Sequence, residues 1–172
     1  AAITLPGVLT AGTLTATSTG GAIALANAKN DFNTVTVTNG TRAVTLTDVD
    51  DLSIAGITGG AVALSVGDHL TQTGAIVATS LTATSTTKNF GNMILFNANN
   101  DVGTLTIDNG PRVVNFTDKN GVIIGGMKAG DLTLSTAGAM TQTGPIVVTG
   151  PTTITNTAGV INLANNNNDF TS

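Results

Sequence analysis

Three carboxylates fall within four residues at Asp48, Asp50 and Asp51, in the stretch "DVDD". Acids crowded this closely could attract a hard cation such as calcium, which takes oxygen ligands. Further along, the matching stretch at 118–121 reads "DKNG", with one acid kept as Asp118 and Lys119 inside the cluster. The glycine- and aspartate-rich nonapeptide of calcium-binding β-rolls is absent. Solvated turn acids are therefore the expectation for Asp48, Asp50 and Asp51, and no metal is assigned. His69 is the only histidine, and there is no Cys to complete a transition-metal site. Nor does a nucleophile-elbow pattern accompany it. No catalytic residue and no cofactor are assigned, and the chain is not expected to be an enzyme.

Other recurring residues have structural readings. Arg42 and Arg112 each precede an Asp at the same interval, Asp48 and Asp118, where an intramolecular ion pair or turn contact is expected. The clusters "NAKND", "NANND" and "NNNND" suit corners, because Asn tolerates left-handed turns and its amides can ladder between stacked strands. "NGT" at 39–41 and "NFT" at 115–117 fit the glycosylation sequon but not at matching positions. Paired threonines such as Thr36/Thr38, Thr45/Thr47, Thr71/Thr73, Thr82/Thr84 and Thr141/Thr143 could present hydroxyl rows, as ice-binding solenoids do. Their uneven spacing argues against one unbroken file, and outward Thr is ordinary on strands.

The elements that carry these residues follow from composition and repetition. Ten acids are all Asp, with no Glu, Trp, Tyr or Cys, and charged residues make up 9%. Thr, Ala, Gly, Asn and β-branched residues favour strands and turns over helices. Hydrophobic content of 41% with a net charge of −4 is not the signature of a disordered chain. Six basic residues argue against nucleic-acid or anionic-lipid partners. No apolar run is long enough for a membrane helix.

Residues 35–82 align with 105–152 without a gap, and 20 of the 48 pairs are identical. "ITLPGVLTAGTLTATS" at 3–18 falls on 70–85. One unit thus recurs about two and a half times, as a partial copy over 1–34, then 35–104 and 105–172. Such self-similarity points to a solenoid. A finer period lies inside the unit, where "AIAL", "AVTL" and "AVAL" start at positions 22, 43 and 61. Alternating runs such as "VTVT" read as half-buried strands, with Val35 and Val37 inward. The expected fold is all-β: one parallel β-helix of eight or nine coils, stacked at about 4.8 Å. Ile23, Leu25, Val44, Leu46, Val62 and Leu64 should stack in its core, in a prism too thin for many large rings. A hairpin-built sandwich is the alternative. The two ends fall at different phases of the unit, so the chain is expected to be an excerpt of a longer array or a subunit that stacks end to end.

The stretch "NDFNTVTVTNG…AVTLTDVDDLSIAGITGGAVALSVGDHLTQTGAI" resembles the repeats of large secreted exoproteins of the filamentous-haemagglutinin type. The resemblance implies export by two-partner secretion, right-handed winding, and a place on the bacterial surface as a stalk or adhesin meeting a host or neighbouring-cell receptor. A filament subunit self-associating through its end coils is the alternative. An ice-binding solenoid and a β-helical polysaccharide lyase are minor ones.

Overall fold

The computed structural model describes residues 1–86 and 91–171. Among them are eighteen strands and no helix, so none is long and apolar enough to cross a membrane. Every strand pairing is parallel. Most partners lie one winding apart, as Ile23 does from Val44 and Val44 from Val62. The chain is a β-solenoid of about eight turns.

The pairings build two walls. One runs through Ile3–Thr4, Ile23–Leu25, Val44–Asp48 and the second half of Leu52–Val66. It continues through the end of Ile76–Ser85, then Asp101–Asp108 and Val122–Ala129. The other wall runs through Thr10–Thr17, Asp31–Thr38, the first half of Leu52–Val66 and Leu70–Gln72. Met93–Leu95, Val114–Asp118, Leu132–Thr136 and Thr152–Asn156 extend it. The long strand Leu52–Val66 crosses from one wall to the other without a break.

Period-two alternation puts one side of each wall inside. Ile23 aligns with Val44 and Val44 with Val62, all three buried. The same column takes in Ile3 below, then Leu81, Leu105 and Ile124 above. Leu25, Leu46 and Leu64 form the neighbouring column. Stacking like on like fills the core by repetition, and all the buried apolar residues join one cluster.

Two rings do fit inside, at Phe32 and Phe116, both fully buried. Phe32 aligns with the small Ala11 of the coil below. Phe116 lies between Leu95 and Leu134. The narrow core thus limits rings without excluding them. Beside Phe32, a small neighbour in the adjacent coil offsets the extra volume.

Corners follow from residues that a turn requires. Gly40 and Gly110 hold φ of 56° and 54°, the left-handed region that glycine enters at no steric cost. At Gly74 and Gly144 a Cβ would overlap the carbonyl of Ala55 or Gly125 one coil below. Only a bare Cα lets the two turns stack there.

Candidate functional site

The acidic cluster divides as its strand dictates. In Val44–Asp48 the alternation that buries Val44 and Leu46 also turns Asp48 inward. Asp48 is 1% exposed and Asp118 is 2% exposed, contrary to the expectation of solvated turn acids. Asp48 accepts the Phe32 N–H at 2.6 Å and the Asp50 N–H at 3.3 Å. Asp118 repeats this with Val102 and Asn120, both at 2.8 Å. Each carboxylate therefore ties its own turn to the coil below and satisfies amides that the corner would leave bare. Burial pushes Asp48 up to about 6 from an ordinary 3.8, against the pull of its two N–H donors. Asp118 is raised for the same reason.

Asp50 and Asp51 stay exposed. Asp51 meets Asp68 and His69 of the next coil, their ligand atoms within 4.8 Å of one another. The three line a shallow surface hollow of about 490 Å³ with Asn33, Asp50 and Ser53. Asp51 accepts the His69 N–H at 2.9 Å. His69 Nδ1 accepts the Asn92 N–H at 3.1 Å, so a neutral ring carries its proton on Nε2. His69 Nε2 lies 3.9 Å from Asp68 Oδ1. A metal on Nε2 would need the opposite tautomer, with Nδ1 donating, and the Asn92 amide opposes it. Because Nδ1 is held by a backbone amide, it is not disposed to activate a hydroxyl nucleophile. Gly121, Gly138 and Ala139 replace Asp51, Asp68 and His69 in the second copy, so the hollow is not a property of the repeat.

The remaining candidates bind the coils together. Arg42 and Arg112 donate their backbone N–H to the Asn39 and Asn109 carbonyls and accept the N–H of Gly60 and Gly130. Asn30 joins the Leu9 N–H to the Leu25 carbonyl, two coils bridged by one amide. Asn100 accepts the Ile76 N–H and donates to the Leu95 and Thr117 carbonyls. It also meets the Gln72 amide through both of its own atoms, as Asn168 does with Gln142. These are Asn-to-backbone and Asn-to-Gln brackets rather than ladders of like residues, because matching Asn lie a whole repeat apart. Asn39, in the first sequon, is fully buried and donates to the Ala43 carbonyl, where no glycosylating enzyme reaches it. Asn115, in the second, is half-buried on the outer side of its strand.

Outward threonines stack in interrupted files. Thr13, Thr34, Ser53 and Thr71 align along one wall, and Ile94 follows them. Thr45, Ala63, Thr82 and Thr106 align along the other. Surface ion pairs join Lys119 to Asp101 at 2.9 Å and Lys128 to Asp108 at 3.1 Å. The brackets, the stacked columns and the hydroxyl files describe a structural repeat module.

Comparison with known proteins agrees with that description. A family model described as repeats of unknown function (DUF5649) matches residues 1–39, 41–109 and 112–172. No curated protein and no solved structure matches the chain.

Proposed function

The chain belongs to that family of repeats, and on this premise we propose that it serves as a rigid, non-catalytic β-helical rod in a bacterial cell-surface adhesin or extracellular fibre. The observation that carries the reading is the inner column from Ile3 to Ile124, seven aligned positions with no break. A continuous column of this kind resists bending, because each coil is held to both neighbours by a parallel ladder and a shared apolar core. Stiffness is what a stalk needs to hold a distal surface away from a cell. The secreted location and the receptor partner are supported by the resemblance to filamentous-haemagglutinin repeats.

Antibodies against the purified chain test the placement. They should label intact cells of the source organism. Labelling that occurs only after permeabilisation would overturn the surface role. Sedimentation over a hundredfold range of concentration should give one monomeric species. Concentration-dependent growth would favour the end-to-end filament instead.

A further inference from the structure

A residue and its counterpart in the next repeat stand seven wall-to-wall steps apart, and seven is odd. Starting from Val44, the chain visits Leu52, Val62, Leu70, Leu81, Met93 and Leu105 on alternating walls before reaching Val114. Val44 lies in the column of Ile23 and Val62. Its counterpart Val114 lies in the column of Leu70, Met93 and Leu132, on the other wall. The exchange runs both ways. Ile54 belongs to the second wall beside Val35, whereas Ile124 aligns with Leu105 on the first.

The two copies keep one conformation while exchanging walls. A register shift between Val35 and Thr36 recurs between Leu105 and Thr106. Gly56 and Gly126 hold φ of 157° and 159°. The strand pairs Val44–Asp48 with Val62–Val66 and Val114–Asp118 with Leu132–Thr136 have matching registers. An operation that swaps the walls, preserves the winding and preserves the local conformation is a half-turn about the rod axis. It comes with an advance of three and a half coils, about 17 Å at a rise of about 4.8 Å.

We infer that the repeat is a half-turn module, so that an array of these repeats is a two-faced rod showing the same outer surface on opposite sides in alternation. A repeat spanning a whole number of coils would decorate one side only. Outward hydroxyls are kept in both copies at Thr47 and Thr117, Ser65 and Ser135, and Thr71 and Thr141. Each of these pairs is divided between the two walls. The inference rests on the rod reading and adds its symmetry.

Spin labels test it, and the absence of native Cys makes the labelling clean. Thr45→Cys with Thr106→Cys marks one file on one wall, three coil steps apart. Those backbones should lie about 14 Å apart. Thr45→Cys with Asn115→Cys marks counterparts. On opposite walls the axial advance of about 17 Å and a sheet separation of about 10 Å put the two backbones about 20 Å apart, and labels that point away from each other lengthen this to more than about 25 Å. A counterpart distance near about 17 Å would place both on one side and overturn the half-turn while leaving the rod intact. Loss of the same-file distance would instead overturn the rod, and this inference with it. Should the wall positions disturb folding, the exposed corner pair Val49→Cys and Lys119→Cys reads the same geometry.

Discussion

Asp48 shows how a single side chain can fasten one coil to the next. Replacing it by Ala strands the Phe32 and Asp50 amides, which it accepts at 2.6 and 3.3 Å. Unsatisfied buried donors cost about 1–3 kcal/mol, so Asp48→Ala should lower the free energy of unfolding by that amount in urea titrations. Its charge state gives a second prediction. With Asp48 raised from 3.8 to about 6, the folded chain holds a proton that the unfolded chain releases between those values. Its contribution to stability is complete below about pH 3.8 and is lost as pH rises through about 6. Asp118 acts in the same direction. Asp101 acts oppositely, since the hydrogen bond from Lys119 lowers its pKa, and its contribution is lost only as pH falls below 3.8. The urea midpoint should therefore fall as pH rises from about 4 to about 6.5, and Asp48→Asn should flatten part of that slope. An unchanged slope in the variant would assign the titration elsewhere. The buried Asp was legible in the sequence, because the alternation of Val44 and Leu46 already points position 48 inward. It was missed because three crowded acids suggested a solvated turn. The meeting of Asp51 with His69 was within reach, since the two stand one coil apart along the chain. The direction of the imidazole was not, because it depends on the Asn92 amide of the following coil.

At the scale of the element, the strand is the unit that repeats and the column is the unit that stabilises. Phe116 occupies a slot that Leu46 fills in the first copy, with Leu95 and Leu134 as its neighbours. Phe116→Ala should cost about 3–5 kcal/mol, since a cavity in a thin core has few neighbours able to close over it. Phe116→Leu should cost less than about 1.5 kcal/mol, the replacement being one that the repeat already uses. Calorimetry on the two variants checks both, and equal losses would mean that the slot has no preference for size. Strand existence and the inward residues were readable from alternation at Val35, Val37, Val44 and Leu46. The continuity of Leu52–Val66 was not, because the glycines at 56, 59 and 60 interrupt the apolar alternation. In the structure Gly59 and Gly60 pass a corner without breaking the strand. Asn laddering failed as an expectation for a related reason: each cluster recurs once per repeat, whereas stacking neighbours recur once per coil.

At the scale of the whole molecule, the spacing of the "AIAL", "AVTL" and "AVAL" runs predicted about the number of coils that the structure contains. The exchange of walls between copies was hidden, because the length of a repeat is silent on whether it holds an odd or an even number of strands. Stability at this scale is apolar and hydrogen-bonded rather than ionic. The Lys119–Asp101 and Lys128–Asp108 pairs are exposed, and pairs of that kind contribute at most about 1 kcal/mol each. Raising salt from about 0.05 to about 1 M NaCl should therefore shift stability by less than about 1 kcal/mol in total, because screening removes little. A large loss would reveal an ionic contribution that the geometry does not provide.

A rod of this kind exists only if its coils lie in register around one apolar column, and methyl nuclear Overhauser spectroscopy on the labelled chain measures that directly. The Val44 methyls should show cross-peaks to both Ile23 and Val62, one in the preceding coil and one in the following coil. Cross-peaks to only one of them, or to residues a hairpin would bring close, would contradict the stacked solenoid.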